Sequence, residues 1–109
     1  MVRVSVLRER GIPVGFELTG HADQGAEGED IVCAGISAIT ETAILGITDV
    51  LKLDAAYTHE SGYARCVLSR ETSSEEDEKA AIVFNTMIAG LTSLKEAYPK
   101  SLKLSYREV

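Results

Sequence analysis

The sequence predicts an α+β fold in which a mainly antiparallel sheet of five strands is covered on one face by two helices, in the order β-β-α-β-β-α-β. Five runs alternate apolar and polar residues as half-buried strands do, and two runs repeat apolar residues every three or four positions as helices do. Turn-forming residues separate these runs. The length of 109 residues suits one domain over residues 1–109 with one hydrophobic core.

The first two strands form a predicted hairpin. Alternation runs over residues 2–9 and again over residues 14–20, and Gly11 and Pro13 interrupt it between the two. The segment 21–29 that follows contains two glycines and no large apolar residue. Because nothing in this segment can anchor to a core, we expect a mobile loop there.

The first helix is predicted from residue 31 to about Lys52, where apolar residues recur at helical spacing. Asp30 precedes it as the predicted N-cap. Gly35 lies in the first turns, and a glycine inside a helix costs about 1 kcal/mol relative to alanine. We therefore expect a neighbouring element to approach the helix closely at Gly35.

A second hairpin follows, with alternating runs over residues 53–60 and 63–70 joined by Ser61 and Gly62. The second helix is predicted from the capping-box spacing of Ser73 and Glu76, and Pro99 marks its end. Alternation over residues 102–106 then predicts a closing strand.

Composition narrows the function classes. The formal charge of -6 disfavours sequence-independent binding to nucleic acid, which requires a basic surface. No run approaches the roughly 18 consecutive apolar residues of a membrane span, and the charged start does not resemble a signal peptide. The two cysteines, Cys33 and Cys66, are too few for a disulfide framework. We expect a cytoplasmic protein with two free thiols.

Cys33 and His21 are the residues with the clearest chemical potential. Cys33 falls in the first turn of the predicted helix, whose positive end stabilises a thiolate. His21 ends the second strand, from which its imidazole could fold back and take the thiol proton as a general base. In the alternative interpretation, Cys33 is a small apolar residue in a buried turn and His21 only leaves a strand.

Neighbouring residues have predicted roles in the same site. Besides capping the helix, Asp30 could hold the imidazole of His21. The N–H groups of Cys33 and Ala34 are candidate donors to an oxyanion. Ser37, one turn after Cys33, should face the same side of the helix, where it could contact substrate or only allow close packing.

The segment 20–37 resembles the ribosomal-processing cysteine protease family, named Prp. The family pattern is Gly-His-Ala, a glycine-containing loop, an Asp, a short apolar pair, and Cys-Ala followed by a Ser. Here it reads Gly20-His21-Ala22, Gly28, Asp30, Ile31-Val32, Cys33-Ala34 and Ser37. The resemblance covers essentially the whole chain in length and element order.

The resemblance implies a peptidase that removes the short N-terminal extension of a large-subunit ribosomal protein. It implies Cys33 as nucleophile and His21 as base, with a thioester intermediate and no metal or organic cofactor. It also implies a homodimer and a loop over residues 23–29 that orders when substrate binds. Gly20, Gly28, Ala34 and Ser37 are the predicted substrate-binding residues.

Alternatives exist for the remaining residues and for the function. Cys66 is predicted to be a buried inert thiol, and His59, beside the hairpin turn, to be solvated. A zinc site is not expected because the cysteines and histidines lack finger-like spacing. The rival functions are a non-catalytic module that binds ribosomal proteins, and a redox sensor in which Cys66 would resolve an oxidised Cys33.

Overall fold

The structure, a computed structural model, describes residues 1–21 and 29–109. Its elements follow the predicted order. They are β1 (Val2–Glu9), β2 (Ile12–Thr19), α1 (Glu29–Leu45), β3 (Ala55–Glu60), β4 (Tyr63–Leu68), α2 (Ser74–Ala97) and β5 (Leu102–Glu108). One π-helical turn, Gly46–Val50, extends α1. The predicted capping box of Ser73 and Glu76 is present at the start of α2.

The strands form one sheet in the order β3-β4-β2-β1-β5. Strand β2 pairs antiparallel with both β1 and β4, and β3 pairs antiparallel with β4, which confirms the mainly antiparallel prediction. Strand β5 pairs parallel with β1. The direction follows from the chain path, because β4 runs the same way as β1 and α2 carries the chain back across the sheet before β5 begins.

The hydrophobic core lies between one face of the sheet and the two helices. Apolar side chains of β1, β2 and β4 meet the apolar faces of α1 and α2 in one buried cluster. At its centre the rings of Phe16 and Phe84 pack edge to face, with centroids 6.4 Å apart. The predicted arrangement of two helices on one face of the sheet is confirmed.

Several predicted boundaries were wrong by a few residues. Strand β2 begins at Ile12 rather than residue 14, because Pro13 pairs with Arg8 where the register with β1 shifts. A proline fits this place since it lies at an irregularity of the ladder. Strand β3 begins at Ala55 and β4 ends at Leu68, so both are shorter than the alternating runs.

Another element was predicted to approach α1 closely at Gly35, near the start of the helix. The structure shows the closest approach at the other end of the helix, at Gly46. A Cβ added to Gly35 would lie 3.6 Å from Leu94 Cδ2, an ordinary van der Waals distance. A Cβ added to Gly46 would lie 2.9 Å from Val83 Cγ1, which real Cβ atoms essentially never show. The glycine that lets α2 pack tightly is therefore Gly46.

The sequence was expected to contain no segment apolar enough to span a membrane, and the helical stretch Ile31–Val50 differs from that expectation. Among the described residues it is the one helix long and apolar enough to cross a bilayer, by length and composition alone, with a mean hydropathy of 1.7. One third of this stretch is buried in the fold, including Ile36 and Ile47. The core helix of a soluble protein has the same properties, so the stretch is weak evidence for a membrane span.

Candidate active site

A pocket of about 280 Å³ opens between the first half of α1 and the end of the sheet where β2 stops. Helix α1 contributes Cys33, Ser37 and Thr40 to its polar lining. The chain after β2 contributes Gly20 and His21, and the β3–β4 hairpin contributes His59, Glu60, Ser61 and Gly62. The apolar floor consists of Val2, Leu18, Ile36 and Ala64.

Cys33 is held by the helix that anchors the core. It is half-buried, and Val32 and Ile36 on either side of it are buried in the core cluster. Ser37 and Thr40 lie one and two turns further along α1 and line the same pocket, as the helical spacing of Cys33 and Ser37 predicts. The Thr40 hydroxyl donates to the Ile36 carbonyl at 2.9 Å, so this hydroxyl is already partnered.

His21 is held by its backbone and by the packing of its ring. The N–H of Gly20 donates to the Gly62 carbonyl at 2.9 Å, and the carbonyl of His21 accepts from the Met1 amino group at 2.9 Å. Its exposed imidazole lies against Gly62 in the β3–β4 turn. These contacts hold the residue after β2 at the mouth of the pocket.

The structure thus brings together the two residues with the clearest chemical potential, Cys33 and His21. Within residues 1–21 and 29–109, no hydrogen bond joins the thiol to the imidazole. Catalytic hydrogen bonds are often long before substrate binds, so their absence does not argue against a catalytic pair. A thiol and an imidazole that line one open pocket can serve as the nucleophile and the general base of an acyl transfer.

The start of α1 changes the expectations for Asp30 and Ala34. Because α1 begins at Glu29, Asp30 lies in the first helical turn rather than at the predicted N-cap. In such a helix the N–H groups of Cys33 and Ala34 reach back to carbonyls four residues earlier, so they are not the unpaired donors expected for an oxyanion. Ala34 is exposed and does not line the pocket.

Some predicted site elements lie outside the part of the chain that the structure describes. Gly28 and the loop over residues 23–29, apart from Glu29 itself, belong to this group. The proposed contact between the Asp30 carboxylate and His21 also falls outside it. Their roles stay predictions.

The sequence did not predict that the β3–β4 hairpin forms one wall of the pocket. His59 is exposed, as expected, but it also lines the pocket together with Glu60. The pairing of Thr19 with Tyr63 brings this hairpin beside the end of β2. The hairpin itself was predictable from Ser61 and Gly62, whereas its strand partner was not.

Cys66 is more deeply buried than Cys33. It is fully buried in the core cluster, and desolvation raises the pKa of its thiol to about 11. A buried, protonated thiol reacts slowly, which argues against Cys66 as the resolving thiol of a redox sensor. Among the residues that the structure describes, no three His, Cys, Asp or Glu side chains are grouped to hold a metal ion.

Comparison with known proteins decides the family. The family model described as cysteine protease Prp matches residues 1–103. The chain belongs to the Prp family. The ribosomal processing cysteine protease Prp of Staphylococcus aureus strain Mu50 is 32% identical to it, over 98% of this chain and 100% of the relative. Like its Prp relatives, the chain is a cysteine protease, which excludes the non-catalytic module.

Solved Prp structures share the fold. Two crystal structures of an essential ribosomal processing protease Prp from S. aureus cover 98% of this chain and 100% of their own, at 24% identity. The one with a substrate peptide has a TM-score of 0.82, and the one with a covalently linked product peptide has 0.81. The five-stranded sheet with two helices is therefore the Prp fold.

Proposed function

We propose that this chain is an endopeptidase that removes the short N-terminal extension of a large-subunit ribosomal protein, with Cys33 as nucleophile and His21 as general base. The observation that carries the proposal is that these two side chains line one open pocket. The substrate class is supported by the name of the relatives, ribosomal processing cysteine protease.

The reaction proceeds in two halves through a thioester. His21 takes the proton of the Cys33 thiol, and the sulfur attacks the scissile carbonyl carbon. As the C–N bond breaks, the imidazolium of His21 returns the proton to the leaving amine. Water then adds to the thioester carbonyl, with His21 as base, and the Cys33 thiol leaves. No metal or organic cofactor takes part in these steps.

Other residues support the substrate in this proposal. Gly20 and Ser37 line the same pocket as Cys33 and His21, and in this proposal they contact an extended peptide. In the same proposal the loop over residues 23–29, with Gly28, closes over the bound peptide, and Asp30 orients His21. Slower amide hydrogen exchange of residues 23–29 when a substrate peptide is bound would support such a closure.

The function is tested on the ribosomal protein precursor itself. We expect the wild-type protein to cut the precursor once and to leave the same protein without its extension intact, as measured by intact-mass spectrometry. Rapid acid quenching should also trap the chain with an added acyl group that hydroxylamine removes, because thioesters react with hydroxylamine.

Two results would contradict this function. One is a precursor that remains intact at enzyme concentrations comparable to its own. The other is cleavage that continues after iodoacetamide has fully blocked Cys33. Since Cys66 is fully buried, brief treatment of the folded protein modifies the half-buried Cys33 selectively.

The proposed assembly is a homodimer. A groove of about 540 Å³ runs between α1 and α2, and its lining is mostly apolar. Ile39, Ala43, Val83 and Met87 line it, and Ile82 at its border is 67% exposed. An apolar groove of this kind suits a second copy of the chain, since burying it removes apolar surface from water.

Sedimentation equilibrium measures the assembly state. We expect a dimer for the wild type and a monomer for Ile82→Arg, because a buried unpaired charge strongly opposes association. Ile12→Arg is the matched control, since Ile12 is 49% exposed and lies outside the groove. A wild-type monomer, or equal dissociation of both variants, would contradict this interface.

The proposed location is the cytoplasm. Free Cys33 and Cys66 suit a reducing compartment. The formal charge of -6 opposes direct binding to nucleic acid, so the partner in this proposal is the precursor protein rather than ribosomal RNA. Cell fractionation with a tagged chain measures the location directly.

A further inference from the structure

The ring of His21 rests on Gly62, the second residue of the β3–β4 turn. A Cβ added at position 62 would lie 2.8 Å from His21 Cε1 and 3.2 Å from Cδ2, and Nε2 is the nearest ring atom. Real Cβ atoms essentially never come closer than 3.0 Å to such a neighbour. Any side chain at position 62 would therefore displace the imidazole.

The backbone joins the same two segments. The Gly62 carbonyl accepts the hydrogen bond from the N–H of Gly20, the residue directly before His21. Gly62 itself has a φ of +75°, a conformation that favours glycine. The turn thus fixes both the main chain that leads into His21 and the surface on which its ring lies.

Within the described part of the chain, the His21 ring makes no side-chain hydrogen bond. Packing against Gly62 therefore helps to set the direction of the ring, beside the orienting role proposed for Asp30. In the proposed mechanism the imidazole must reach the Cys33 thiol, so a displaced ring would take its proton less well. Misplacement of a catalytic group by about 1 Å can lower a rate about 100-fold.

We propose that Gly62 is a positioning residue for His21: the bare backbone of the β3–β4 turn sets the plane of the imidazole toward Cys33. This inference rests on the proposed function, in which His21 is the general base. It assigns the bare backbone at position 62 a role in catalysis beside its role in the turn, and it makes the β3–β4 hairpin a support for the general base.

Gly62→Ala tests the proposal, and Gly11→Ala is its matched control. Gly11 lies in the β1–β2 turn with a φ of +80°, and a Cβ added there meets nothing within 4 Å. Both variants force alanine into the same left-handed region. Only the change at position 62 also pushes against the imidazole, so the difference between the two variants isolates the effect on His21.

We expect Gly62→Ala to lower kcat for precursor cleavage by about 10- to 100-fold, with KM changed much less. Gly11→Ala should keep kcat close to that of the wild type, while the two unfolding midpoints fall by similar amounts. The proton resonance on Cε1 of His21 should move in Gly62→Ala and not in Gly11→Ala. That resonance reports the ring environment without any substrate.

A second variant guards against a Gly62→Ala protein that does not fold. Asparagine tolerates the left-handed region better than alanine but still carries a Cβ, so Gly62→Asn keeps the collision while relieving the backbone strain. We expect Gly62→Asn to recover stability without recovering kcat. Recovery of both would show that backbone strain, not the imidazole, accounts for the loss.

The two hypotheses fail in different ways. A wild-type protein that does not cut the precursor overturns the proposed function, whatever the resonances show. A wild-type protein that does cut it, together with equal kcat values and unmoved His21 resonances in Gly62→Ala and Gly11→Ala, overturns the positioning role and leaves the function intact.

Discussion

Replacing Cys33 with alanine is expected to lower kcat/KM for precursor cleavage by about 10⁴-fold or more, since the loss of a nucleophile leaves no route to the thioester. The side chain of Cys33 is half-buried at the pocket, and the helix around it is anchored through Val32 and Ile36. Shortening this side chain by one sulfur should therefore leave α1 in place. Steady-state cleavage measures the effect, and circular dichroism with urea unfolding checks the fold.

Cys66→Ala is the matched control, because it removes the other sulfur of the chain from the interior. Cys66 is fully buried, so this variant should lose some stability through the small cavity that it creates. Its activity should stay within a few-fold of the wild type. Comparable losses of activity in two folded variants would mean that Cys33 acts through the structure and not as the nucleophile.

Alkylation separates the two thiols without any substrate. With a pKa of about 11, Cys66 carries a thiolate fraction of about one in ten thousand at pH 7, and its burial excludes the reagent. One iodoacetamide adduct should therefore form on the folded wild type. Over the same reaction time, no adduct should form on folded Cys33→Ala. Two adducts require unfolding.

Local patterns were sufficient to predict most of the fold. Alternation marked the strands because one face of the sheet is buried and the other is exposed, as Val2 and Val4 beside the exposed Arg3 illustrate. The capping box and Pro99 bounded α2 for reasons that lie within a few residues of each end. Errors arose where a neighbour in space decides, as with Pro13 opposite Arg8 and Val83 against Gly46.

The same distinction explains the site. Cys33 and Ser37 share a face of α1, which their spacing in sequence predicts. The wall made by the β3–β4 hairpin depends instead on the pairing of β2 with β4, two strands separated by the whole of α1. No property of Gly62 in the sequence indicates that His21 will lie on it, since the contact spans 41 positions of chain and follows only from the strand order.

One helix serves both the core and the candidate site, and this accounts for the composition of α1. Its buried stripe includes Ile36 and Ile47, and the adjacent stripe carries Cys33, Ser37 and Thr40 into the pocket. A helix with apolar and small residues on two faces is hydrophobic enough to resemble a membrane span. The burial of residues such as Ile36 and Ile47 against the sheet explains this apolar composition without a membrane.

The two histidines of the pocket, His21 and His59, offer a direct comparison of roles. Both are exposed and line the same cavity, but only His21 follows β2, where its carbonyl accepts from the Met1 amino group and the preceding Gly20 N–H donates to the Gly62 carbonyl. We expect His21→Ala to lower kcat by about 10²- to 10⁴-fold, because the general base and the proton donor to the leaving amine are both lost. His59→Ala should act mainly on KM, and by less than about tenfold, as a change in the pocket wall would.

Added imidazole provides the decisive readout for the base, since a small base can enter the space that the deleted ring leaves. Rescue of His21→Ala should rise with imidazole concentration and with pH as the neutral form of imidazole increases. The same additive should leave His59→Ala and Cys33→Ala unchanged, because neither variant lacks a base. Equal losses of kcat in the two histidine variants, or rescue of His59→Ala, would assign the proton transfer to the hairpin histidine and would overturn the role of His21.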